Sequence, residues 1–234
     1  VASNSFGASR LKLDGLGLAG LCRELNRAAA ANAAAARPAG RFVAGSMGPT
    51  GKFLKPQGEC TEGQIEASFA EQAEGLAEGG ADFVILETFF DLREALCGLR
   101  GAKKAAPALP VFVTLTYNRT KRGFFTIMGD GLASATAVLE RNGAAAVGAN
   151  CTLASEAMVE LSAELRRATA LPIIVQPNAG QPKIGPDGCT VYAQTPDQFA
   201  GDMLRIAAAG ANFVGGCCGT SPAFIRRLAE RLLR

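Results

Sequence analysis

The chain has no histidine among its 234 residues. Imidazole therefore cannot act here as general base, metal ligand or pH switch. Ser-His-Asp and Cys-His nucleophiles are excluded with it, as is any zinc site with imidazole ligands. An excess of charge is also lacking: 24 Lys+Arg against 21 Asp+Glu leave +3, which argues against nucleic acid as a partner. No run of about 18 uncharged apolar residues occurs, so no membrane span is expected. The opening VASNSFGASRLKLDGLGLAG lacks the basic start and continuous apolar stretch of a secretory signal. Cysteines stand at 22, 60, 97, 151, 189, 217 and 218, an odd number at irregular spacing that does not fit a secreted disulfide framework. A reducing, cytoplasmic compartment is the expectation.

What is present points to one globular domain over residues 1–234. Hydrophobic residues make up 48% of the chain, enough for one sizeable core. Short β-branched or small apolar runs fall at residues 41–45, 82–88, 110–116, 144–151, 171–177 and 211–217, bounded by Gly, Pro or Asn. These read as buried parallel strands. Between them, residues 63–79, 91–104, 155–169, 196–209 and 222–233 carry apolar residues three and four apart, as helices do. Asp91, Thr195 and Ser221 provide start signals, the last two just ahead of a proline. The Ala-rich stretch 28–36 reads as a plain surface helix. Such alternation implies right-handed βαβ units around a parallel sheet. The Gly-rich GSMGPTG at 45–51 has neither dinucleotide nor P-loop spacing. A (β/α)8 TIM-type barrel is therefore favoured, about one βα unit short of the usual ~250 residues.

In such a barrel, chemistry sits at the C-terminal ends of the strands. Here those positions hold Glu87 and Thr88, Thr114 to Thr116, Asn150 and Cys151, Asn178, and Cys217 and Cys218. Three thiols without imidazole suggest a soft metal, zinc by default, with one coordination position left open. Adjacent Cys217 and Cys218 can both ligate if the strand ends between them, as the flanking glycines of GGCCG permit. Inert buried thiols and a vicinal disulfide are the other readings of the same residues. Cys22 and Cys97 read as core thiols, and Cys60 and Cys189 as partnerless loop thiols. Glu87 reads as a rim ion pair as well as a ligand group.

Several segments resemble the homocysteine S-methyltransferase family: SNSFGASRLKL, GSMGPTGKFLKP, FVILETFFDLREA, GANCTL, QPNAGQPK, TVYAQTPDQFA and GGCCGTSP. They follow the family order along essentially the whole chain, and are most like the homocysteine-binding zinc modules of cobalamin-dependent methionine synthases. The resemblance implies that Cys151, Cys217 and Cys218 bind Zn2+ and that homocysteine sulfur takes the open position. It places Glu87 and Asn178 near the amino-acid end of the substrate, with Thr50 and Asn4 as further candidates for that pocket. The implied reaction is methyl transfer to the homocysteine thiolate to give methionine. Methylcobalamin on another module or a separate corrinoid protein would be the donor. A sulfonium donor, S-methylmethionine or betaine, is the alternative within the class. A non-catalytic barrel with structural zinc, or an inactive assembly subunit, is the alternative outside it. Family members begin with an Asp-Gly strand, so the resemblance implies a barrel lacking its first βα unit.

Overall fold

The computed structural model describes residues 1–232. In chain order the elements are α1 (Arg10–Asp14), α2 (Cys22–Ala36), β1 (Ala44–Met47), α3 (Glu62–Glu78), β2 (Phe83–Phe89), α4 (Leu92–Ala105) and β3 (Val111–Leu115). Then come β4 (Asn118–Thr120), β5 (Gly123–Phe125), α5 (Leu132–Arg141), β6 (Ala146–Ala154), α6 (Ser155–Ala168) and β7 (Ile173–Asn178). The hairpin strands β8 (Pro182–Ile184) and β9 (Thr190–Tyr192), α7 (Pro196–Ala208), β10 (Phe213–Val214) and α8 (Pro222–Leu232) complete the chain. One six-stranded sheet runs in the order β1-β2-β3-β6-β7-β10, and the pairs β1–β2, β6–β7 and β7–β10 are parallel. This is the parallel α/β alternation read from the sequence. The last helix was expected to reach Leu233, which lies outside the described residues. Among the described residues no helix is long and apolar enough to cross a membrane.

The chain divides into two compact units, residues 1–113 with 141–145, and residues 114–140 with 146 onward. In the first, the strand expected at 41–45 begins at Ala44, and the N-terminal residues run alongside it through one parallel bridge, Ala2 to Ala44. The Ala-rich segment starts at Cys22 rather than residue 28, and it is not a plain surface helix. Cys22, Asn26, Ala30 and Ala33 are buried on one face of α2. That face meets α3 where glycine allows close approach: a Cβ on Gly79 would stand 2.3 Å from the Arg27 carbonyl oxygen. Helix α3 starts in a capping box, with Gln64 N donating to Thr61 Oγ1 (3.3 Å) and Thr61 N to Gln64 Oε1 (2.9 Å). Asp91 caps α4 by accepting from Arg93 N at 2.8 Å. Each such cap contributes about 1 kcal/mol.

In the second unit, β6 and β7 are buried through most of their length, as their Val, Ile and Ala content requires. Gly148 has no room for a side chain, because a Cβ there would meet the Ile174 carbonyl oxygen at 1.8 Å. Helix α7 begins in the expected manner, Thr195 and Gln198 forming a capping box with Pro196 at the first helical position. The two antiparallel hairpins, β4–β5 and β8–β9, were not expected from the sequence. Their strands are three residues long and mostly exposed, so no apolar alternation marks them.

Candidate metal centre

The thiol centre is built entirely from the second unit. Strand β6 pairs regularly with β7 through Asn150, then loses register before Ala154. The interruption is Cys151 and Thr152, with φ of 61° and 58°, left-handed values unusual for side-chain-bearing residues. This bulge turns the Cys151 thiol out of the alternation that the rest of the strand obeys. Asn150, fully buried, accepts from Thr114 Oγ1 at 2.8 Å and turns its amide toward Cys217 Sγ, 3.7 Å away.

The second arm follows β10. Gly215 N donates to Val175 O (3.2 Å) and Cys217 N to Pro177 O (2.9 Å), extending the ladder with β7 beyond the strand itself. Cys218 then departs, its carbonyl accepting from Ala179 N at 2.9 Å. Gly219, at φ 81°, lies beneath the Tyr192 ring, where a Cβ would fall 2.3 Å from the nearest ring atom. Glycine is thus required on two counts where the chain bends away; β10 itself ends at Val214, and it is the hydrogen-bonded run alongside β7 that loses its regularity between the two cysteines.

Cys151 Sγ lies 3.8 Å from Cys218 Sγ, and Cys217 Sγ lies 3.9 Å from Cys218 Sγ. All three sulfurs fall within 4.8 Å of one another, and none of the seven cysteines is in a disulfide. Tetrahedral zinc with bonds of about 2.3 Å holds its sulfurs about 3.8 Å apart, so the donor set fits zinc in type and in spacing. The protonation pattern agrees. The hydrogen bond from Cys217 holds Cys151 down at about 5, aided by the Thr152 backbone and opposed by burial. The same bond, with burial, pushes Cys217 far up, and burial raises Cys218. One thiolate forms readily and the next two are resisted by their neighbours. A divalent cation relieves that repulsion. Cys22 and Cys97 behave as core thiols instead, buried and pushed up to about 11 by desolvation.

Asn178 ends β7, is 3% exposed, and leaves its Oδ1 without a partner, a polar atom available to a ligand. The other candidates belong to the first unit. Glu87 is half-buried near the end of β2 and accepts at Oε1 from the Ser46 hydroxyl; Thr88 beside it has φ 68°. Thr50 is buried, and both its N–H and hydroxyl bond Glu94 Oε1, at 2.8 and 2.6 Å. Asn4 is exposed between buried Ser3 and Ser5. Sequence reasoning did not single out Ser46 or Glu94. Ser46 lies inside a Gly-rich run, and Glu94 reads as an ordinary first-turn helix acid, so neither carried a signal.

Known proteins resemble this chain in sequence and in fold. The family profile described as homocysteine S-methyltransferase matches residues 1–232. Methionine synthase of Mycobacterium tuberculosis is 33% identical over 240 residues, covering 98% of this chain and 20% of that protein. Methionine synthase of Mycobacterium leprae is 35% identical over 199 residues, covering 83% of this chain and 16% of that protein. The chain thus spans a fifth or less of the length of these relatives. Among solved structures, the oxidized form of the homocysteine methyltransferase MmuM from Escherichia coli superposes with TM-score 0.76 at 25% identity, covering 98% of this chain and 78% of that one. Its apo form gives TM-score 0.69 at 28% identity over the same shares. By the profile match and by this likeness, the chain belongs to the homocysteine S-methyltransferase family.

Proposed function

We propose that this chain is the homocysteine-activating part of a methionine-forming methyltransferase, with Cys151, Cys217 and Cys218 as ligands of a catalytic zinc ion. The convergence of three thiols at zinc-like spacing, with no fourth cysteine beside them among the described residues, carries the reading. Zinc supplies a Lewis acid that keeps a substrate thiol ionised near neutral pH, where a free thiol of pKa about 8.5 is mostly protonated. The chain's own residues do the rest. Asn150, held by Thr114, presents its amide to Cys217 Sγ, and a hydrogen bond from Asn178 favours the ionised form of Cys151. In this reading Asn178 bonds the amino-acid end of the substrate, and the Glu87 carboxylate, held by Ser46, pairs with its ammonium. Both assignments rest on the family pattern. Thr50 shapes the Gly-rich loop through Glu94, and Asn4 is a rim residue.

The transfer is an in-line displacement. The homocysteine sulfur forms a bond to the methyl carbon, and the donor leaves with the electron pair of the broken bond. Methylcobalamin on another module or protein is the donor that best suits a chain whose curated relatives are methionine synthases several times its length.

Zinc-edge X-ray absorption before and after adding homocysteine tests the reading. Three sulfurs and one lighter neighbour, becoming four sulfurs, is the expected result. Four sulfurs throughout, or no bound metal, overturns it.

A further inference from the structure

The two cysteine-bearing turns share more than β7. Ser155 stands four residues beyond Cys151, at the exit of the same bulge, and is fully buried. Its hydroxyl donates to Asp202 Oδ2 at 2.7 Å and accepts from Gln194 Nε2 at 2.6 Å. Gln194 Nε2 also donates to Asp202 Oδ2 at 3.0 Å, closing a three-membered polar knot. The main chain of Gln194 reaches the other way. Its N–H donates to Ala179 O at 3.1 Å, and Ala179 N–H donates to Cys218 O at 2.9 Å. Two residues earlier on the same strand-exit segment, the Tyr192 ring lies over Gly219.

This cross-link matters because the ladder with β7 does not hold Cys151 directly. The β6–β7 register is broken between Asn150 and Ala154, so residues 151–153 have no ladder partner on β7. Cys217, by contrast, is held to β7 through Pro177 O. A tetrahedral site tolerates only about 0.2 Å in each metal–ligand distance. Contacts beyond the β7 ladder are therefore available to fix the Cys151 turn against Cys218. Gln194 is bonded toward both.

We propose that Gln194 is a positioning residue for the thiol centre, holding the Cys151 turn through Ser155 and the Cys218 turn through Ala179. The inference rests on the reading that the three thiols hold a metal ion. Groups that orient metal ligands without touching the metal change metal affinity about 10–100-fold when removed.

The test is cobalt(II) titration of the purified chain against a competing chelator. The parent protein is compared with Gln194→Ala, Ser155→Ala and Asp91→Ala. Asp91 caps α4 in the other unit, so its variant controls for general destabilisation. Gln194→Ala is expected to weaken cobalt binding about 10–100-fold and to weaken the thiolate-to-cobalt absorption. Asp91→Ala should lower the melting temperature and leave both readouts unchanged. If Gln194→Ala does not fold, Ser155→Ala carries the test, since it cuts the link to the Cys151 turn and leaves the Gln194–Asp202 bond. Cobalt bound as tightly by the variant as by the parent overturns the proposal. A parent that binds no cobalt overturns the metal reading instead. Capture of arsenite by the three thiols, which needs only their spacing, then decides on Gln194: slower capture by Gln194→Ala supports it and equal rates overturn it.

Discussion

The ends of β2 and β6 were read from the sequence as the same kind of place, a polar residue closing an apolar strand. Structurally they share one unusual feature and differ in another. Among the described residues, only Thr88, Cys151 and Thr152 adopt positive φ without being glycine, and all three lie at these two ends. Each such residue costs on the order of 1–3 kcal/mol, and such strain persists where the surroundings over-determine it. The ends differ in how their reactive group is held. Glu87 accepts a hydrogen bond from the Ser46 hydroxyl on the neighbouring strand β1, so a side chain helps to fix it in place. Cys151 is delivered by a backbone bulge to two other thiols, with buried Asn178 bonded to it and buried Asn150 turned toward Cys217. A carboxylate can be oriented by one donor. A metal ligand must be placed to tenths of an ångström by main chain.

Substitutions can break this comparison or sharpen it. The largest effect is expected at the β6 end. Cys151→Ser or Cys217→Ser should take zinc content from one ion per chain to none, measured by elemental analysis of the purified protein. At the β2 end, Glu87→Gln keeps an acceptor for Ser46 and removes the charge. Homocysteine affinity by calorimetry should fall about tenfold or more, as loss of a charge-assisted bond implies, with zinc content unchanged. Zinc loss in that variant would mean that the two ends are one structural device.

Smaller effects probe the strain itself. Thr152→Gly and Thr88→Gly relieve a left-handed β-branched residue, and each should stabilise the chain by about 1 kcal/mol in urea unfolding. Thr152→Gly should also weaken zinc binding, because it loosens the turn that aims Cys151; Thr88→Gly should not. Equal behaviour of the two would remove the distinction.

The smallest effect concerns Glu94, 2% exposed, whose carboxyl is pushed up by burial against the opposing bonds from Thr50. An acid with a higher pKa folded than unfolded binds its proton more readily in the native state. Its stabilising contribution is complete below the unfolded value of about 4.3 and is lost as pH rises through the higher folded value. Glu94→Gln keeps an acceptor for Thr50 and removes that loss. The urea midpoint of the variant relative to the parent should therefore increase as pH rises from 4 to 7. A difference independent of pH would show that Glu94 is not titrating in this way.

Much of the fold was legible, for a physical reason that varies by element. Strands β2, β3, β6 and β7 are runs of β-branched and small residues buried by neighbours, and such runs announce themselves. Helices α3, α4 and α7 begin at side-chain caps that are local in sequence. Helix α5 buries Leu132, Ala135, Thr136 and Leu139 on one face, but two of these four are the small or polar residues Ala and Thr, and the exposed hairpins carry no apolar alternation; neither was anticipated. Helix α2 was seen but misjudged, because what buries it is glycine on α3, a contact between distant segments. Of the site, the thiols stood out as cysteines at strand ends. Gln194, Ser155 and Asp202 did not, since each is an unremarkable polar residue whose role exists only in contact with the others.

By itself the sequence determined the chemistry open to this protein. With no imidazole anywhere, the cysteines at the ends of apolar strands were left as the soft ligands, and the alternation of buried runs with capped helices determined a parallel α/β sheet. Tertiary structure decided whether those thiols meet. Cys151 and Cys218 are 67 residues apart in the chain and 3.8 Å apart in space. A bulge at Cys151 itself, a glycine beside Cys218 and a glutamine bonded toward both turns produce that spacing, and the meeting of the two arms is a property of neither segment alone.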